Sequence, residues 1–150
     1  MKYYNMIIYT ASDQSYADSV VNYIDPTKEF FKYRLYRHNC VEVRLDDMPK
    51  PIYVKDLRII KNVKLEDMVI IDNSVLSFAF HLDNGIPILP YYQNKDDIEM
   101  ETLKNYLIKL SKCDNLQVHN GANFNLTELL EEAQSQREEE LKEEAFTTAN

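Results

Sequence analysis

Two short apolar runs in this 150-residue chain stop abruptly at polar triplets, Thr10-Ala11-Ser12 and Asp72-Asn73-Ser74. In an α/β sheet, ligands collect beyond the carboxyl ends of the strands, so these triplets are where chemistry is expected. Thr10 would offer a hydroxyl beside the free N–H groups that open the next helix, a favourable place for a phosphate. Asp72 and Asn73 offer a carboxylate and an amide oxygen, both suited to a hard cation, and Lys55 supplies a positive charge that can hold a phosphoryl group or pair with Asp72. Each residue also has a plainer role open to it: Thr10 or Ser12 as a helix cap, Lys55 as a solvated cation. Together they describe a phosphoryl-transfer site whose attacking group is not among them.

The elements that must position these residues follow from apolar patterning. Met6-Ile7-Ile8-Tyr9 is almost continuously apolar, which predicts a strand covered on both faces. A helix is expected over Asp13–Ile24, capped by Ser12, with Tyr16, Ala17, Val20, Val21 and Ile24 on one stripe and Pro26 ending it. Phe30–Tyr36 and Cys40–Leu45 read as a small hairpin turning at His38-Asn39, and Asp46-Asp47-Met48-Pro49-Lys50-Pro51 reads as a loop before Tyr53–Leu57. Further strands are expected at Met68–Ile71 and Ile86–Leu89, and then a helix carrying Ile98, Leu103, Leu107 and Leu110. Buried strands alternating with helices predict a mainly parallel α/β sheet. Asn125 and Glu128 suggest a capping box for a last helix with Leu126, Leu129, Leu130 and Ala133 at helical spacing, thinning to Leu141, Ala145 and Phe146 among glutamates. That end reads as a solvated helix or frayed tail, with a partner-binding helix as the other reading.

Composition bounds the rest. A chain of 150 residues that is 45% apolar builds one compact domain. The two cysteines, Cys40 and Cys113, belong to no metal-ligand cluster and read as reduced thiols. No apolar run is long enough to cross a bilayer and the N-terminus lacks a cleavage pattern, so a nuclear or cytoplasmic location is expected. Of the formal charge of −8, residues 121–150 carry −6 and the other 120 residues only −2, so neither part offers the basic stripe that nucleic acid requires. A phosphorylated protein segment remains a suitable partner, because a few placed cations outweigh a mildly acidic average.

Five blocks carry a resemblance: Tyr9-Thr10-Ala11-Ser12, Arg34-Leu35-Tyr36-Arg37-His38-Asn39-Cys40, Tyr53-Val54-Lys55-Asp56-Leu57, Ile70-Ile71-Asp72-Asn73-Ser74 and Asp83-Asn84-Gly85-Ile86-Pro87. In this order they resemble the haloacid-dehalogenase-like (HAD-like) phosphatases of the FCP/SCP type, also called NLI-interacting-factor-like or small C-terminal-domain phosphatases. The likeness covers about residues 4–118, leaving 119–150 as an acidic C-terminal helix or tail. It implies a Rossmannoid, mainly parallel sheet with a small β-hairpin insertion. It also implies a magnesium-dependent phosphoserine/phosphothreonine protein phosphatase working through an aspartyl-phosphate. Thr10 resembles the phosphate-binding residue, Lys55 the lysine that neutralises the transferring group, Asp72 the acid that orients it and also faces the metal, and Asn73 the direct magnesium ligand. Ser12, Arg34 and Arg37 are expected on the substrate side of the groove.

The chain departs from that pattern in one respect. The family's nucleophile is the first aspartate of an Asp-x-Asp-x-Thr/Val motif, and no Asp-x-Asp occurs here. The resemblance therefore implies that the catalytic pair and its central strand, expected between Met6–Tyr9 and Met68–Ile71, lie before Met1. This chain alone is then expected to be inactive and to bind magnesium weakly or not at all, needing the upstream segment or a partner's strand. The alternative is a catalytically inert, phosphatase-like protein-binding module.

Overall fold

The computed structural model describes residues 3–46 and 48–148, with side chains through residue 142, so Asp47 of the expected loop and the side chains of Ala145 and Phe146 lie outside the described residues. Strand β1, Met6–Tyr9, pairs in parallel with β2, Phe31–Leu35, through the crossover helix α1, Gln14–Ile24. Strand β5, Ile70–Asp72, pairs in parallel with β6, Gly85–Pro87. Between these two pairs in sequence lies an antiparallel ribbon of β3, Val41–Val43, and β4, Ile52–Val54. Helices α2, Glu99–Leu110, α3, Leu116–Phe124, and α4, Leu126–Thr148, complete the chain. The architecture is α/β with parallel strands, as the apolar runs predict.

The expected hairpin is rearranged. Phe31–Leu35 does not fold back on Cys40–Leu45; it joins β1, and the hairpin forms one element later between β3 and β4. The cause lies at residues 36–39, where the Tyr36 N–H donates to Asn39 Oδ1 at 2.9 Å and the Asn39 N–H returns to the Tyr36 carbonyl at 2.8 Å. That closes a 3-10 turn over Arg37–Asn39 and leads the chain out of the first sheet. Asp25 sets the entry to β2: fully buried, its carboxylate accepts from the backbone N–H groups of Glu29, Phe30 and Phe31 at 2.9–3.0 Å. Those bonds hold its carboxyl below the usual range against the opposing effect of burial, which is the largest influence on it.

Helix α1 begins one residue later than expected. Asp13, not Ser12, occupies the N-cap position, and no side chain caps the helix. Of its apolar stripe only Ala17 and Val21 are buried, while Tyr16, Val20 and Ile24 are exposed. Strand β1 is likewise only half-buried at all four residues, although its composition calls for cover on both faces. The second pair is better enclosed: Ile70 packs with Leu57, Met68 and Phe78, and Ile86 with Leu103, Leu110 and Leu116.

Helix α3, which no clear periodicity announces, fastens this half. Buried Asn120 donates to the carbonyls of Asp83 and Gly85 at 2.9 and 2.7 Å and accepts from the Tyr106 hydroxyl at 3.0 Å. Asn125 takes the left-handed conformation that ends α3, with φ of 48°, so its bond to Glu128 joins two side chains and is not a capping box. In α4, Leu126 packs on the core while Leu129 and Leu130 are exposed. The close approach of β6 to the turn Val75–Phe78 depends on Gly85, where an added Cβ would lie 2.0 Å from a ring carbon of Phe78. Phe78 is fully buried and cannot move aside. Gly85→Ala is therefore expected to cost about 1–3 kcal/mol, the usual cost of overpacking, measured as a drop in the urea midpoint at unchanged slope.

Candidate active site

The carboxyl ends of β1 and β5 are gathered by the ribbon. Thr10 leaves β1 with its N–H still bonded to the Leu35 carbonyl at 2.9 Å, and its hydroxyl accepts the Ser12 N–H at 3.1 Å. This tight turn fixes the Thr10 hydroxyl at the entrance to α1 and shows why Ser12 is not the cap: its backbone is committed to the turn. Cys40 Sγ lies 3.8 Å from the Thr10 carbonyl oxygen. Burial pushes the Cys40 thiol up, and the nearby charges of Lys55 and Arg37 pull against that rise. Cys40 thus links the Thr10 turn to the ribbon that carries Lys55.

Lys55 follows β4 and is 7% exposed. Its N–H donates to the Ser77 carbonyl at 2.7 Å, and its ammonium is ion-paired with Asp72 Oδ2, so residues 17 apart in sequence meet as expected. The other Asp72 oxygen accepts the Ser74 N–H at 2.8 Å, which holds the carboxylate in place. A charge so little exposed is tolerable only when paired in this way. Asn73, next along the chain, is exposed.

The metal roles fare differently. One Asp72 oxygen is paired with Lys55 and the other accepts the Ser74 N–H, while the neighbouring Asn73 is exposed. No group of three or more His, Cys, Asp or Glu residues able to hold a metal occurs among the described residues. Magnesium takes near-octahedral oxygen coordination, so these residues do not by themselves fit it.

Both arginines bond to α1 or the loop before it, while Arg34 Nη2 is buried without a hydrogen-bond partner. Arg34 turns from β2 towards α1, where its Nη1 reaches Asp18 Oδ1 and Asn22 Oδ1, each at 2.8 Å. It lines a cleft of about 340 Å³ with Asp18, Lys28 and Tyr36, which contains none of Thr10, Lys55, Asp72 or Asn73. Arg37 clamps the β1–α1 loop: its Nε donates to the Ala11 carbonyl at 2.7 Å, its Nη1 pairs with Asp13 at 3.1 Å, and its guanidinium sits 5.4 Å from the centre of the Tyr53 ring. It braces the β1–α1 loop through these contacts.

One group escaped the sequence reading. Asp56, directly after Lys55, accepts from the Arg58 N–H and guanidinium and lies 2.9 Å from Nε2 of buried His81. This anchors the backbone carrying Lys55 to the segment entering β6. A histidine inside the apolar stretch Ala79-Phe80-His81-Leu82 was the available signal, though only the fold shows its partner.

With parallel strand pairs and a buried Lys–Asp pair at the carboxyl end of β5, the chain is an α/β protein of the HAD-like phosphatase type. Residues 1–117 match NLI interacting factor-like phosphatase, and the chain belongs to that family. It is 38% identical over 130 residues to "CTD small phosphatase-like protein 2" of Dictyostelium discoideum, an alignment covering 87% of this chain and 22% of that protein. It is 34% identical over 113 residues to "Carboxy-terminal domain RNA polymerase II polypeptide A small phosphatase 1" of Homo sapiens, covering 75% and 40%. Among solved structures it is similar to fission yeast RNA polymerase II CTD phosphatase Fcp1-R271A bound to beryllium fluoride, with a TM-score of 0.48 and 20% identity over 87% of this chain and 36% of that one. The chain thus spans well under half the length of these relatives.

The Asp56 carboxyl gives a pH test. The Arg58 guanidinium, and after it His81, hold it well below the usual carboxylate range against the effect of burial. A carboxyl depressed on folding contributes stability above its unfolded pKa of about 3.9, and that contribution is lost as pH falls towards the folded value. The wild-type urea midpoint is expected to fall more between pH 6 and pH 3 than that of Asp56→Asn; equal losses would show that the cluster is not coupled to folding.

Proposed function

We propose that this chain carries the phosphoryl-holding half of a phosphoserine/phosphothreonine protein phosphatase site, with Thr10, Lys55 and Asp72 as its working residues. The observation that carries this reading is the buried Lys55–Asp72 pair, on a ribbon whose Cys40 touches the Thr10 carbonyl. Asp72 holds the Lys55 side chain in place through their ion pair. Lys55 and the backbone donors after Thr10 then offer positive potential to the oxygens of a phosphoryl group, where charge is spread in the transition state. No Asp-x-Asp occurs in residues 1–150, so this reading assigns no attacking carboxylate to them. A phosphoprotein is the substrate class, consistent with the polymerase polypeptide in the human relative's name.

We place the chain in the nucleus or cytoplasm; one relative is named for nuclear envelope morphology, and no described helix is long and apolar enough to cross a membrane. The missing nucleophile also favours a second reading, an inert phosphatase-like module that binds a protein.

Residues 1–150 are expected to hydrolyse neither an aryl phosphate nor a phosphoserine peptide with magnesium present. Adding inorganic phosphate is expected to shift the amide resonances of Ala11 and Ser12, and Lys55→Ala to abolish that shift. No shift would overturn the phosphate reading. Turnover that disappears in Lys55→Ala or Asp72→Asn would show an attacking group within the chain.

A further inference from the structure

The first parallel pair carries a group of hydrogen-bond donors that the phosphoryl site does not use. Asp18 and Asn22 of α1, Lys28 of the loop after it, and Lys32, Arg34 and Tyr36 of β2 and its exit line the cleft of about 340 Å³. It opens on the side of α1 away from Tyr16 and Val20, because Asp18 and Asn22 lie one turn apart across the buried Ala17 and Val21 from that flank. The lining is rich in donors and poor in acceptors. Asp18 is its one carboxylate, and Asp18 Oδ1 is already taken by Arg34 Nη1 and the Tyr36 hydroxyl, each at 2.8 Å. Asn22 accepts from Arg34 through its amide oxygen, so its amide nitrogen remains to donate.

Two features mark this as more than a solvated cationic surface. The Arg34 side chain is only 11% exposed and its Nη2 is buried with no hydrogen-bond partner, a state that folded proteins seldom leave unmet. The backbone at Lys28 has φ of 55°, in the left-handed region where a lysine is uncommon. Buried Asp25 holds it there: the Asp25 carbonyl accepts the Lys28 N–H at 3.1 Å, and its carboxylate accepts the N–H groups of the next three residues. A glycine would take this conformation without strain, whereas the lysine brings an ammonium to the cleft. Strain held in this way gathers at ligand sites.

We propose that this cleft is a second anion site, separate from the Thr10 turn, that takes a phosphate-monoester dianion. Lys28 and Lys32 supply the charge, and Arg34 Nη2 and the Asn22 amide supply directed N–H groups. The charge balance selects that ligand: Asp18 offsets Arg34, while Lys28 and Lys32 make no ion pair among the described residues. Two unpaired ammonium groups match a dianion, and a carboxylate would leave one of them uncompensated. The volume lies within the range of about 300–1,000 Å³ usual for small-ligand pockets. Because the cleft contains none of Thr10, Lys55 or Asp72, this inference and the phosphoryl-transfer reading fail separately.

Titration of residues 1–150, followed through amide resonances, tests it with inorganic phosphate, a capped Ala-phosphoserine-Ala peptide and acetate at matched ionic strength. The amides of Asn22, Lys28 and Lys32 are expected to shift with both phosphate probes, and acetate to bind there about tenfold or more weakly. Lys28→Asn, which suits the left-handed backbone, and Lys32→Gln change exposed side chains and so spare the fold. Together they are expected to weaken the cleft response about tenfold or more while the Ala11 and Ser12 shifts stay as they are. A peptide bound about tenfold or more tighter than inorganic phosphate would assign the dianion to a polypeptide, and equal constants to a small phosphate species. No shift at the cleft amides would overturn the proposal even if Ala11 and Ser12 respond. An undiminished cleft response in the double variant would also overturn it, and equal affinity for acetate would overturn the choice of a dianion.

Discussion

The Lys55–Asp72 ion pair is the contact on which the rest of the arrangement depends. It joins the ribbon to the second parallel pair, and through Cys40 the ribbon reaches the carboxyl end of the first. Removing one member of a buried pair leaves an uncompensated charge and typically costs 3–5 kcal/mol, far more than an exposed pair contributes. The neighbouring bonds fix each partner separately: Ser77 and the Asp56–His81 contact hold the lysine's backbone, and Ser74 holds the carboxylate. The pair is consequently a tie in the fold and a shaped charge in the site at once.

The same tie explains how a sheet without a continuous ladder keeps its form. Buried unsatisfied backbone groups cost about 1–3 kcal/mol each, so two bare strand edges inside a sealed core would be hard to sustain. Here the edges border half-exposed side chains, where water can serve the free groups. The exposed Tyr16, Val20 and Ile24 flank of α1 belongs to the same picture: apolar surface that the described residues leave uncovered. Stability is therefore concentrated in the second half, around Phe78, Ile86 and the asparagine clamps of α3.

What could be read from sequence was whatever local pattern determines. The strand ends at Thr10 and Asp72 were visible because apolar runs stop at hydrogen-bonding residues, and the meeting of Lys55 with Asp72 followed from the family resemblance of those blocks. The hairpin was misplaced because alternation in Phe31–Leu35 marks a strand without naming its partner, and a side-chain bond from Asn39 decided the exit. Helix α3 stayed hidden because Leu116–Phe124 contains Gly121 and two polar residues that turn inward, Gln117 and Asn120, and the buried Asn120 amide makes sense only beside Asp83 and Gly85. Arg34 was singled out for its charge alone, and its pairing with Asp18 across the α1 face became visible only in the fold.

A double-mutant cycle on Lys55 and Asp72, using Lys55→Met, Asp72→Leu and the combined variant in urea unfolding, tests the central claim most directly. The account predicts that each single change is strongly destabilising while the double change costs less than their sum, giving a coupling within the range of about 0.5–3 kcal/mol seen for contacting residues. Additive losses within about 0.5 kcal/mol, the behaviour of independent sites, would mean that the two side chains do not form the buried pair and would contradict it.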